Sequence, residues 1–152
     1  MSPEEKIKSL GLTIPPALQP LAAYVPSVKS GSYIYTSGQL PMVAGELKYI
    51  GKLGQELTIE EGYEAAKICA LNCLGAVKSI IGSLDEIVRI VKLTGFVSSG
   101  QGFTGQPKVI NGASDILGEI FGDKGRHARS AVGVYELPLG AAVEIEMIIE
   151  VR

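Results

Sequence analysis

Residues 128–151 read ARSAVGVYELPLGAAVEIEMIIEV. This stretch predicts two strands, at about 129–137 and 142–151, joined around the tetrapeptide Leu-Pro-Leu-Gly. The second strand alternates with a period of two. Its apolar side chains share one face (Val143, Ile145, Met147, Ile149 and Val151), and its carboxylates share the other (Glu144, Glu146 and Glu150). The alternation predicts a sheet with one buried face.

Two helices and a strand are predicted upstream. The first helix spans 58–82, where Thr58 and Glu61 have the spacing of a capping box and apolar side chains recur every three or four residues. The second helix spans 107–122 and has a proline in its first turn. Between them, 87–98 is apolar at successive positions, which predicts a strand buried on both faces.

The N-terminal third is rich in proline and glycine. Five of the eight prolines lie within residues 1–30, so we expect an irregular or extended segment after a short helical turn at 3–10. Residues 32–39 are rich in β-forming side chains and predict a strand. Residues 40–57 predict a loop with one short strand near 46–50.

The order of these elements predicts an α+β fold. We expect one domain over residues 1–152, with both helices packed on one face of the sheet. The other face then needs a cover, and a symmetric partner is the simplest cover for a small chain.

Composition and charge narrow the classes of function. The chain has 152 residues, 16.0 kDa, 14 basic and 16 acidic side chains and a net charge of −2, a balance that argues against non-specific nucleic-acid binding as its main task.

No apolar run reaches the ~18 residues of a membrane helix, and the charged start lacks the order of a secretory signal. Cys69 and Cys73 have no metal-ligand partners at zinc spacing, which predicts buried thiols in a reducing cytoplasm.

The candidate chemical groups lie in the C-terminal third. Arg126, His127 and Arg129 cluster before a strand. Arg129 is either solvated at the strand end or clamps a carboxylate through two hydrogen bonds, and His127 is either a loop residue or a proton carrier. Glu144 is either solvent-facing or a general base for water. A plain short turn would place Glu144 opposite 133–134, roughly 13–17 Å along the strand from Arg129.

Two separated motifs resemble the RidA (YjgF) family. They are YTSGQLP at 35–41 and ARSAVGVYELP at 128–138, the second followed by VEIE at 143–146. The segment KVINGASD at 108–115 resembles a divergent subgroup labelled "putative endoribonuclease" or "translation initiation inhibitor". The resemblance covers residues 20–152 and implies a chorismate-mutase-like fold, assembled as a homotrimer with ligand clefts between subunits.

The resemblance also implies a chemistry. Family members hydrolyse reactive enamine and imine acids, such as 2-aminoacrylate, 2-iminopropanoate and 2-iminobutanoate, to 2-oxo acids and ammonia without a metal or organic cofactor. Arg129 matches the arginine that holds the substrate carboxylate, and Glu144 matches the glutamate that positions the attacking water. The matched cleft-lining positions are Tyr24, which is contributed across the interface, Gly38 and Asn111.

One substitution and two other functions stay open. Ala131 stands where many members have cysteine, so a thiol nucleophile is excluded there, although its backbone carbonyl can still hold a water. An endoribonuclease or translation inhibitor is the second hypothesis, but the single histidine and the lack of basic, aromatic platforms weigh against RNA as a partner. The third is a non-catalytic trimer that binds a small carboxylate or shields unfolded proteins. No membrane partner is expected.

Overall fold

The computed structural model describes all residues 1–152. Its helices are α1 (Pro3–Ser9), α2 (Ile59–Ile81) and α3 (Gln106–Phe121), and its strands are β1 (Ser27–Ser30), β2 (Tyr33–Thr36), β3 (Met42–Val43), β4 (Glu46–Leu47), β5 (Ile87–Ser98), β6 (Ala128–Val134) and β7 (Val143–Val151). Five strands form one mixed sheet in the order β1-β2-β7-β5-β6, and β3 and β4 form a separate ribbon. Only β5 and β6 run parallel, because α3 forms the crossover between them.

Helices α2 and α3 pack side by side on the same face of the sheet. Cys69 and Cys73 of α2 lie with their Sγ atoms 3.6 Å and 3.3 Å from the carbonyl oxygens of Val143 and Ile145. Gly95 of β5, which pairs with Ile145, lies directly under α3. This packing confirms the predicted α+β fold with two helices on one face, and both thiols are fully buried as expected.

The helix ends and the helix–helix contact follow from particular residues. The side chains of Thr58 and Glu61 each accept a hydrogen bond from the other residue's backbone N–H, which confirms the predicted capping box, and Gly82 ends α2 with φ of +78°. Helix α3 approaches α2 so closely that a β-carbon on Gly112 would lie 2.0 Å from the carbonyl oxygen of Tyr63. Only glycine permits this separation.

The pairing of the last two strands corrects the sequence prediction. Strand β5 lies between β6 and β7, so these two strands form no hairpin. The chain between them is a longer connection in which Leu139 and Gly140 have φ of +60° and +76°, and β7 crosses over to pair with β2 and β5. The expected register of Glu144 opposite β6 is therefore wrong, because Glu144 pairs with Phe96 of β5.

Three further expectations were wrong in part. Along most of its length β5 is fully buried only towards the helices. On its other face Arg89 is exposed and Lys92 is half-buried, although Ser98 at the strand end is buried. Near the N-terminus, the helical turn at 3–10 is confirmed as α1, but the segment expected to be irregular or extended ends in strand β1, which pairs with β2. The loop after β2 carries the two short strands β3 and β4 rather than one.

The face of the sheet opposite the helices is open in the single chain. Four of its apolar side chains are between 42% and 51% exposed, namely Val28, Tyr33, Tyr35 and Val132. None of the helices combines the length and the apolar character that are needed to cross a bilayer.

Candidate functional site

Strand β6 holds Arg129 at the edge of the sheet, on the face that α3 covers. Its Nη1 donates a hydrogen bond to Ser114 Oγ at 3.1 Å, and its Nη2 donates to the carbonyl oxygen of Pro107 at 3.3 Å. None of the ion pairs of the protein involves this guanidinium. Two bonds to α3 therefore fix the guanidinium and leave its other N–H groups free for a ligand.

His127 is locked in one orientation beside Arg129. Its Nδ1 lies 2.6 Å from the carbonyl oxygen of Gly125, and since a carbonyl can only accept, Nδ1 carries the proton. In the neutral ring Nε2 is then an acceptor, and the hydroxyl of Ser114 donates to it at 2.9 Å. A chain of hydrogen bonds thus runs from Arg129 through Ser114 and His127 to the backbone.

These side chains line a polar space between α3 and β6, which we call the arginine cleft. It has a volume of about 460 Å³ and is lined by Asn111, Ser114, Gly118, Gly125, Arg126, His127 and Arg129. No apolar and no acidic side chain lines it, so its positive charge suits an anionic group. Of the expected site residues, Asn111 lies in this cleft, and Ala131 is half-buried on the same face of β6 as Arg129.

Strand β7 presents Glu144 on the opposite face of the sheet, because Val143 and Ile145 are buried towards the helices. The carboxylate lies against Gly38, where a β-carbon would be 2.3 Å from Oε1. Burial raises the pKa of Glu144, and the negative charge of Glu146 adds to this effect. No lysine or arginine pairs with it. A half-buried carboxylate with a raised pKa is suited to accept a proton from water.

A second cleft, which we call the apolar cleft, lies between the N-terminal segment and the chain that follows β2. It has a volume of about 350 Å³, and its walls include Leu18, Leu21, Tyr24, Gly38, Met42 and Leu139. Two of the expected site residues, Tyr24 and Gly38, therefore line this cleft together.

Hydrogen bonds hold both walls of the apolar cleft in place. Ser37 Oγ donates to the carbonyl oxygen of Val25 at 2.6 Å, which ties the N-terminal segment to the end of β2. Asn72, a buried polar residue of α2, donates from Nδ2 to the carbonyl oxygens of Leu40 and Met42 at 2.9 Å and 3.0 Å. The cleft is therefore built on the main sheet and helix rather than on a free loop.

The two predicted catalytic residues do not meet within one chain. Arg129 pairs with Leu93 and Glu144 with Phe96, so they lie three residues apart along β5 and on either side of it. This register separates their α-carbons by about 14 Å, and their side chains project from opposite faces. The expected site residues thus form two groups, one around Arg129 and one around Glu144.

Sequence reasoning missed Ser114, which bridges Arg129 and His127. A signal for it exists in α3, where Asn111, Ser114 and Gly118 follow one another at helical spacing and interrupt the apolar pattern. Leu139 was also missed, because its place beside Gly38 depends on a connection whose path the sequence did not predict.

Comparison with known proteins agrees with this architecture. The family model described as "YjgF/chorismate_mutase-like, putative endoribonuclease" matches residues 4–151. The chain is 45% identical over 149 residues to Protein TCP17 of Trypanosoma cruzi, covering 96% of this chain and 92% of that protein.

Two solved structures are similar over nearly the whole chain. The protein Atu1372 from Agrobacterium tumefaciens is 44% identical with a TM-score of 0.93, covering 99% of this chain and 92% of that one. A "putative endoribonuclease" from Shewanella oneidensis is 36% identical with a TM-score of 0.96, covering 99% and 100%. With its mixed sheet, its two helices on one face and this match over 4–151, the chain belongs to the YjgF/chorismate-mutase-like family.

Proposed function

We propose that the protein is a hydrolytic deaminase that converts reactive 2-imino and enamine acids to 2-oxo acids and ammonia. The observation that carries the proposal is the pair of unpaired charges described above. Arg129 is anchored in a polar cleft without a carboxylate partner, and Glu144 is a half-buried carboxylate without a cation. The two free, buried thiols support the cytoplasmic setting expected from the sequence.

In this proposal Arg129 binds the substrate carboxylate. Ser114 and Pro107 hold the guanidinium from the α3 side, so its remaining N–H groups form a fork that fits two carboxylate oxygens. A substrate held in this way presents its imine carbon in one orientation, which lowers the entropic cost of the reaction. The amide of Asn111, which lines the same cleft, supplies a further polar contact.

Glu144 acts as the general base in this proposal. It removes a proton from water while the water oxygen bonds to the imine carbon and the π electrons of the C=N bond move to the nitrogen, which takes up a proton. The amino alcohol formed in this way then loses ammonia: the nitrogen takes up a second proton and leaves as the C–N bond breaks, while the hydroxyl group loses its proton and forms the C=O bond of the 2-oxo acid. General-base help of this kind typically contributes about 10²–10⁴-fold, which suffices because the imine carbon is already electrophilic. The step needs no covalent intermediate with the protein, so Ala131 in place of a cysteine does not prevent it.

We also propose that the site is formed between protomers of a homotrimer. Arg129 and Glu144 cannot reach one substrate from opposite faces of one sheet, whereas a neighbouring protomer can bring its Glu144 group to the arginine cleft. The exposed apolar side chains on the open face, such as Tyr33, Tyr35 and Val132, favour contact with a second copy of the chain. Tyr24 then reaches the substrate across the interface, together with Gly38.

A coupled assay tests the proposal. An amino-acid oxidase generates 2-iminopropanoate, and the loss of the imine is followed with and without the protein. We expect wild type to accelerate the loss, and we expect Arg129→Lys to raise KM about tenfold or more, because lysine keeps the charge but loses the planar fork. Arg152→Lys, at the exposed chain end, is the matched control and should leave KM unchanged.

Two outcomes would contradict the deaminase proposal. If wild type binds pyruvate through Arg129 without accelerating imine loss, the protein is a carboxylate-binding trimer rather than a deaminase. If the purified protein instead cleaves RNA and His127→Ala abolishes the cleavage, the ribonuclease in the family description is the correct activity.

A further inference from the structure

We infer that the preferred substrates are 2-imino acids with a branched or aromatic apolar side chain, which the apolar cleft binds. The inference rests on the proposed function and names the substrate class of the same site. The two clefts differ in their chemistry, because no apolar residue lines the arginine cleft, whereas half of the twelve residues lining the other cleft are hydrophobic.

The apolar cleft exposes large side chains that would gain from a ligand. Leu21 of the N-terminal segment is fully exposed, Leu139 is 75% exposed and Tyr24 is 59% exposed. If an apolar group of a ligand contacted these side chains, the apolar surfaces of the side chains and of the ligand would be removed from water, which is favourable. The N-terminal segment thus supplies an apolar wall of the cleft that Gly38 lines, and Gly38 in turn lies against Glu144.

The backbone of Leu139 gives a second, independent indication. This residue has a φ of +60°, a left-handed conformation that is unfavourable for a leucine and far easier for glycine. A strained backbone of this kind persists where the surrounding structure holds it and is frequent at ligand sites. Here the strained residue places a leucine side chain on the cleft.

Charge and size decide how a substrate would lie. Its carboxylate pairs with Arg129, and a cationic iminium group is complementary to the carboxylate of Glu144, which lies against Gly38, a residue that lines the apolar cleft. The substrate's side chain then extends into that cleft. The cleft volume of about 350 Å³ is roughly tenfold the share of one water in the liquid. It is far larger than the methyl group of 2-iminopropanoate.

The test compares imines that differ only in the side chain. An amino-acid oxidase generates them from alanine, leucine and phenylalanine, and kcat/KM is measured for each. Because each buried methylene favours binding by about three- to fourfold, we expect the imine from leucine to exceed that from alanine by about tenfold or more. Leu21→Ser and Leu139→Ser should bring this ratio towards one. Ile80→Ser, an exposed apolar residue of α2 outside the cleft, should leave the ratio unchanged.

Direct binding separates this inference from the proposed function. If no imine is hydrolysed faster, the proposed deaminase fails, and calorimetry with 4-methyl-2-oxopentanoate and pyruvate then decides the ligand class. Tighter binding of the larger acid supports the inference, and equal binding overturns it.

The kinetic comparison has an outcome of its own. Equal kcat/KM for all imines overturns the inference but agrees with the proposed deaminase activity. If Leu21→Ser lowers the mass of the assembly and leaves the ratio unchanged, a second copy of the chain occupies the cleft and the inference is wrong.

Discussion

The environment of Glu144 in the fold differs from the one that the sequence pattern suggests. In the sequence it is one of three carboxylates on the polar side of an alternating strand. In the fold it is half-buried against Gly38, and burial together with the charge of Glu146 raises its pKa. A general base must be ionised, so a raised pKa moves the acidic limb of the activity profile to higher pH.

The pH profile of kcat/KM tests this role. Activity should fall as the pH drops through the raised pKa of Glu144. Glu146→Gln removes the neighbouring negative charge, so the pKa of Glu144 decreases and the acidic limb should move to lower pH. Titration of the substrate affects the profiles of wild type and Glu146→Gln equally, so it does not contribute to the difference between them. Acidic limbs at the same pH in wild type and in Glu146→Gln would show that Glu144 is not the titrating base. The variant Glu144→Gln should itself lower kcat about 10²-fold or more.

Gly38 offers a test of geometry at the same place. A β-carbon there would lie 2.3 Å from Oε1 of Glu144, and the contact is with the end of a flexible side chain. Gly38→Ala should therefore displace the carboxylate and lower kcat/KM about tenfold or more, while the midpoint of thermal unfolding changes little. In a Glu144→Gln background the same change should cost no further activity, since the displaced group is already absent. Additive losses in the double variant would contradict this contact.

At the scale of elements, the backbone approach of α3 to α2 depends on Gly112. Gly112→Ala would bring a β-carbon 2.0 Å from the backbone oxygen of Tyr63, so the helices would have to separate. We expect a loss of about 1–3 kcal/mol in the free energy of unfolding, measured with urea.

Gly118→Ala in the same helix is the matched control. A β-carbon there meets no atom within 4 Å, and we expect a gain of about 0.5–1 kcal/mol because alanine favours the helix. Equal stability of the two variants would show that α2 and α3 do not depend on this close approach.

The insertion of β5 between β6 and β7 is the element-scale feature that separates the two residues of the proposed site. It places Arg129 on an edge strand against α3 and Glu144 on an inner strand, on the other face of the sheet. In the proposed function each chain therefore carries two separate half-sites. A site that uses both residues has to combine two protomers.

At the scale of the whole molecule, mixed assemblies test this arrangement. Light scattering should give a mass of three times 16.0 kDa for wild type. Arg129→Ala and Glu144→Gln should each be inactive alone. When the two are co-assembled in equal amounts, about a quarter of the wild-type activity should return, because that share of interfaces joins one intact Arg129 to one intact Glu144. A monomer in solution, or mixed assemblies without activity, would contradict a site between protomers.

The sequence by itself determined the local elements and the candidate residues. The signals that the sequence carries are local, because each depends on residues a few positions apart in the chain. They include the capping box of Thr58 and Glu61, the helical apolar patterns and the alternation of the last strand. The motif around Arg129 and Glu144 indicated the family, which the match over residues 4–151 confirmed. The hydrogen-bond partners of these residues were not available from such signals.

Only the tertiary structure decided which strands are neighbours. The short turn that the sequence predicts favours a hairpin between β6 and β7, but the α3 crossover pairs β6 with β5 in parallel, and β7 then pairs with the other side of β5. Strand order depends on contacts between residues far apart in the chain, which a local pattern does not encode. For the same reason Ser114 joined Arg129 and Leu139 joined Gly38 only in the folded chain, because packing between distant segments brought them together.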